Sequence, residues 1–119
     1  MAIKFTSTGL TKESFFGSLF QIRDKMHLNH LKTKSYSEHK ALNEFYDSIL
    51  DLTDSLIESY QGKYGILELS IPVSTASDSI ADISKLASLT DGGSAYNLFK
   101  DTFIQNQLDE ISTLCYQTL

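Results

Sequence analysis

The sequence predicts an all-α fold, a small antiparallel four-helix bundle with one short helix and an extended crossover, as a single domain over residues 1–119. Three observations point there. Apolar residues recur at steps of three and four through two long segments. Each of those segments carries the start and stop signals of a helix. The only proline, Pro72, falls where that period fails. With 41% hydrophobic residues, among them seven Phe and six Tyr, the chain is long enough to bury one core.

The first helix is predicted over residues 11–33, with Thr11 as N-cap and Glu13 in the first turn. Phe15, Phe16, Leu19, Phe20, Ile22, Met26 and Leu31 fill one broad face, and Arg23, His27 and His30 fall within it. The second is predicted over 36–61. It opens on the capping-box spacing Ser35…Glu38, and Leu42, Phe45, Ile49, Leu52, Leu56 and Tyr60 form its apolar stripe. The turn between them is only a few residues, which makes them antiparallel neighbours. Residues 64–73, YGILELSIPV, read as an extended crossover with room for a short strand. A short third helix is predicted over 77–89, with Ile80, Ile83 and Leu86 inward, ending before Asp91-Gly92-Gly93. The fourth is predicted over 94–118, carrying Leu98, Phe103, Leu108, Ile111, Leu114 and Cys115.

Composition narrows the function. The residues from Met1 to Leu10 hold no continuous apolar run of the kind a signal peptide needs, and no stretch approaches the roughly 20 apolar residues of a membrane span. One cysteine, Cys115, forms no internal disulfide and reads as a buried structural thiol. Fifteen acids against ten bases, a net charge of −5, argue against nucleic acid as a partner. The expected setting is cytoplasmic. Lys32, Lys34 and Lys40 cluster at the first turn, where they solvate the loop or receive an anion.

The chemistry gathers in one place. His27, His30 and His39 are the only histidines, and all lie within HLNHLKTKSYSEH, residues 27–39. With His39 as origin, Asn43, Asp47, Asp54 and Glu58 fall within about 100° of it around the second helix. Glu44, Asp47, Asp51, Asp54 and Glu58 form one acidic stripe, whose members repel by a few tenths of a kcal/mol per pair. Such a stripe is most often a solvated face, and a histidine on an apolar face is most often a satisfied core residue. Two facts raise the combination above that. A turn centred near Lys34 puts His30 and His39 at one level on facing helices, and imidazole with carboxylate is a donor set suited to iron, zinc or manganese.

The spacing His27…His39…Asn43…Asp54…Glu58 resembles the ferroxidase signature of Dps proteins, the mini-ferritins. The resemblance implies a ferritin-like bundle and a mono- or di-iron site. In that site His27 or His30 would be the first histidine and His39 the second, while Asp54 and Glu58 would come from a two-fold-related subunit, Glu58 bridging if two ions bind. The sequence departs from the family at Asn43, where Dps proteins carry Asp, and it lacks the Trp after the first histidine, with Leu28 or Leu31 in that place. The stretch HLKTKSYSEHKALNEFYDSILDLTDSLIESYQGKYG, within residues 13–65, is also similar to a family of small tailed-phage proteins that look like a shortened Dps helix pair. There the first histidine corresponds to His30. The C-terminal YNLFKDTFIQNQLDEISTLCYQTL is weakly similar to the last Dps helix.

Two expectations follow. The first is a Dps-like iron-binding protein, ferroxidase-like at most as an enzyme, with His30, His39, Asp54 and Glu58 as principal ligands and His27, Asn43 and Asp47 beside them. The second is a non-catalytic, oligomeric phage-type binding protein that sequesters a host signalling nucleotide or masks a host protein, with Arg23 and Lys40 receiving an anionic ligand. If phage-encoded, either would act in the cytoplasm of a bacterial host. Self-association, at least to a dimer, is expected because the apolar face of the first helix is wider than one antiparallel neighbour can cover. His30 is expected to face His39, and His27 to be more exposed or paired elsewhere.

Overall fold

The structure, a computed structural model, describes residues 9–73 and 77–119. Residues 1–8, where the sequence shows no signal-like apolar run, lie outside the described residues. The described residues form four α-helices and no strand: α1 (Lys12–Lys32), α2 (Tyr36–Tyr64), α3 (Ser79–Thr90) and α4 (Thr102–Thr118), with a single 3-10 turn at Tyr96–Leu98. No helix among them is long and apolar enough to cross a membrane.

Thr11 and Ser35 cap α1 and α2 as the sequence implies, but no capping box closes at Ser35, because the Glu38 carboxylate turns to the Thr33 hydroxyl. Thr11 accepts from the Ser14 amide while the Ser14 hydroxyl accepts from the Thr11 amide, a reciprocal box that holds two amides with no partner inside the helix. Ser35 accepts from the Glu38 amide at the start of α2, and Asp78 accepts from Ile80 and Ala81 at the start of α3.

Around the bundle the order is α1–α2–α4–α3, each helix packing on the next and α3 closing loosely on α1. The three-residue turn Thr33-Lys34-Ser35 makes α1 and α2 antiparallel, with Phe16 against Tyr60 at one end and His30 against His39 at the other. The crossover after α2 then climbs the length of α1. The Ser70 carbonyl lies on Gly17, the Gln21 amide donates to the Val73 carbonyl, and Asn29 donates to the Ser77 carbonyl and the Ser79 hydroxyl. Gly17 is required here because any Cβ would overlap the Ser70 carbonyl oxygen. This strap, with α2 and α3, covers the apolar width of α1. That width therefore does not by itself require a second chain.

Most of the predicted stripe residues are core: Phe15, Phe16, Leu19, Ile22, Met26, Leu42, Phe45, Ile49, Leu56, Tyr60, Ile83, Leu86, Leu108, Ile111 and Cys115 are all buried. Leu31, Ile80 and Phe103, expected inward, are exposed, each in the first or last turn of its helix. The larger correction concerns residues 94–101, which are not the start of α4. Gly92 takes a left-handed φ of 69°, the chain makes one 3-10 turn, and Phe99 becomes extended. That conformation drives Phe99 into a cluster with Phe15, Phe16 and Tyr60, where ring centroids lie 5.7–6.4 Å apart. Because α3 is only 12 residues long, this segment fills the half of the bundle that α3 leaves uncovered. The far end of α2 is tied to the start of α4 by Asp101, which accepts from the Lys63 ammonium and the Tyr64 hydroxyl.

Candidate functional site

The histidines sit where the short turn forces the end of α1 against the start of α2. The Thr33 hydroxyl donates to the Glu38 carboxylate and accepts from the Ser35 amide, which fixes the turn. His30, in the last turn of α1, is buried, and His39, on α2, is exposed. Their rings stack with centroids 3.6 Å apart and planes 26° apart. His30 Nδ1 lies 2.7 Å from the His39 carbonyl oxygen, and His39 Nδ1 lies 3.0 Å from the His30 carbonyl oxygen. A carbonyl only accepts, so each Nδ1 carries the hydrogen of its contact.

Tyr46, two turns further along the same face of α2, organises the rest. Its ring lies flat on His27 at 4.3 Å and edge-on to His30 at 5.3 Å, and the Arg23 guanidinium stands 5.4 Å from its centroid. Its hydroxyl donates to the Asn43 amide oxygen at 2.8 Å. Arg23 bonds Asp24 at 3.3 Å, while its Nε is buried with no hydrogen-bond partner among the described residues. The structure thus gathers Arg23, His27, His30 and Asn43 around Tyr46, with His39 stacked on His30, and His27 pairs with Tyr46 as the alternative to a ligand role. Tyr46 was legible in principle: His39, Asn43 and Tyr46 follow steps of four and three.

The carboxylates stand elsewhere. Asp47, Asp54 and Glu58 are exposed on α2, with Glu44 and Asp51. Asp54 and Glu58 lie 15 and 19 residues past His39, about 22 and about 28 Å along one helix axis. Lys40 is exposed beside His39. Among the described residues no three His, Cys, Asp or Glu side chains come together closely enough to hold a metal ion. Among the described residues of one chain, two imidazoles are therefore in place and no carboxylate joins them. The two ion pairs among the described residues, Arg23–Asp24 and Lys63–Asp101, leave the acidic stripe without intrachain bases.

Fold and site together define an all-α helical-bundle protein with a histidine–tyrosine cluster at its hairpin end and a row of acids along one helix that enters no ion pair among the described residues. The chain belongs to the family of unknown function DUF5856, whose profile matches residues 30–119 and so spans His30, His39 and the acidic stripe. It is similar to an uncharacterized 14.6 kDa protein of the mobD–rI intergenic region of Enterobacteria phage T4, with 30% identity over 109 residues covering 89% of this chain and 83% of the relative. No solved structure gives a significant match. The phage relative agrees with the likeness to small tailed-phage proteins. The likeness to Dps rests on the histidine–acid spacing and not on these matches.

Proposed function

We propose that the chain is a ferritin-like, Dps-type bundle that self-associates about a two-fold axis and holds iron between the imidazole end of one copy and the carboxylates of the other. The observation that carries this reading is the layout of α2. His39 and Asn43 occupy one end of a face, Asp54 and Glu58 the other, and all lie within about 100° of one another. A second α2 running antiparallel, with the axis near Asp47 and Ser48, would set His39 of each copy beside Asp54 and Glu58 of the other. It would also bring the two acidic stripes together, an arrangement that bound cations would offset.

Two further features support it. A pair of antiparallel helices joined to a second pair by one long crossover is the connectivity of ferritin-like bundles. Ligating histidines commonly donate their other ring N–H to a backbone carbonyl, as His30 and His39 do. Iron would be cargo or substrate there, and any turnover would be ferroxidase-like.

Anaerobic Fe(II) titration tests the reading on the wild type, on His39→Ala, on Glu58→Ala and on a refolded mixture of the two variants. Each variant alone should lose binding, and the mixed dimer should regain one of its two sites, because one intact His39 then faces one intact Glu58. Equal binding by all four samples, or a monomer by light scattering, would overturn it.

The second reading, a non-catalytic binding protein, is favoured by Asn43, which is neutral and already bonded to Tyr46, and by the unpartnered Nε of Arg23. In that case Arg23 and Lys40 would hold an anion such as a host signalling nucleotide, or the same end of the bundle would mask a host protein. Native mass spectrometry of protein purified from cells separates the two: retained iron supports the first, a retained organic anion the second.

A further inference from the structure

The seam between α1 and α3 is the most loosely packed in the ring, and it leaves an open groove of about 390 Å³. This lies within the range of small-molecule sites, roughly 300–1,000 Å³. Its apolar lining is aliphatic: Leu10 and Ile22 from one side, Leu86 and Leu89 from the other. Among the described residues no aromatic side chain lines it, which leaves a nucleobase nothing to stack on there.

The charge in the groove runs against that of the chain. Lys25 and Lys85 line it, and neither forms an ion pair among the described residues. Asp82, the one acid on the lining, accepts the Ser77 hydroxyl. Three other polar groups are engaged, Ser14 with the Thr11 carbonyl, Ser18 with the Phe15 carbonyl and Gln21 with the Val73 carbonyl. The groove thus offers an aliphatic floor and two ammonium groups in no ion pair among the described residues, against the single carboxylate of Asp82, on a protein whose net charge is −5.

We propose that this groove binds a medium-chain alkyl carboxylate, with the chain on Ile22, Leu86 and Leu89 and the head between Lys25 and Lys85. The site is separate from the histidine cluster and does not depend on the metal reading. The apolar floor provides the area-proportional part of the affinity, and the two lysines distinguish an anionic head from a neutral one.

Displacement of a dansylated undecanoate probe from the full-length protein tests this. Dodecanoate should displace the probe, and dodecanol should do so about tenfold less well, the sum of two partly exposed charge-assisted contacts. Lys25→Met with Lys85→Met keeps the aliphatic stems and should weaken dodecanoate about tenfold while leaving dodecanol unchanged. Absence of probe binding, equal affinity for acid and alcohol, an undiminished response in the double variant, or displacement by a nucleoside monophosphate would each overturn the proposal.

Discussion

His30 and His39 exchange hydrogen bonds, the Nδ1 of each donating to the backbone carbonyl of the other across the α1–α2 gap. The His30 carbonyl is one of the last four of α1 and has no acceptor role inside the helix, so the His39 ring serves as its cap. The two contacts close the hairpin beyond the reach of the apolar core. A double-mutant cycle checks the coupling. His30→Ala should destabilise by about 2–4 kcal/mol, because it removes a buried ring and the hydrogen bond that ring makes to the His39 carbonyl. His39→Ala should destabilise by about 1 kcal/mol. The double variant should fall short of the sum by about 0.5–2 kcal/mol. Additive losses in urea unfolding would show that the two rings act independently.

Gly17 gives a prediction of opposite sign to helix propensity. Glycine inside a helix ordinarily costs about 0.5–1 kcal/mol relative to alanine. At Gly62, in α2, nothing lies within 4 Å of the place a methyl group would take, so Gly62→Ala should stabilise by about that amount. At Gly17 the methyl would meet the Ser70 main chain, which cannot rotate away. Gly17→Ala should therefore destabilise by about 1–3 kcal/mol and detach the crossover from α1. Thermal unfolding of the two variants side by side measures the contrast, and a stabilised Gly17→Ala would mean that the strap does not pack there.

Asp101 makes stability sensitive at both ends of the pH scale. The Lys63 and Tyr64 hydrogen bonds hold its carboxyl below the usual carboxylate range, and the same carboxylate raises Lys63 and Tyr64 above their usual values. A lowered acid contributes fully above its unfolded pKa, and that contribution disappears as pH falls through the folded one. A raised base or phenol contributes fully below its unfolded pKa and loses that contribution as pH rises through the folded one. Asp101→Asn should flatten both limbs of a stability–pH curve relative to wild type. Unchanged limbs would show that the contact between α2 and α4 is too well solvated to matter.

The hairpin end was readable because its determinants are local. Thr11, Ser35 and the steps of three and four in α1 and α2 fix two helices and a three-residue turn, and that turn alone puts His30 opposite His39. The start of α4 was not readable in the same way. Leu98 and Phe103 extend the apparent period of the last helix, yet Phe99 is extended because the aromatic cluster of Phe15, Phe16 and Tyr60 has room for it, a tertiary fact absent from residues 94–101. The extended crossover was readable from Pro72 and the lost period, but its path along α1 was not, since only Gly17, Gln21 and Asn29 hold it there. For the site, sequence spacing gathers donors that share a face of α2, whereas distance along the axis separates His39 from Asp54 and Glu58.

Cys115 tests how tightly the core closes around α4. Its side chain is fully buried beside the α4 core residues Leu108 and Ile111, and burial pushes its thiol up to about 12. The thiolate is the reactive form, so at neutral pH both access and ionisation oppose alkylation. Labelling by a disulfide reagent should therefore require global opening: it should be slow in buffer and should accelerate with urea along the same slope as unfolding followed by circular dichroism. Because opening of the whole bundle exposes the thiol, Gly17→Ala should speed labelling by the factor its loss of stability implies, about tenfold per 1.4 kcal/mol when reclosing outpaces the reagent. Rapid labelling in buffer with no dependence on urea would mean that α4 frays as far as Cys115 without unfolding the rest.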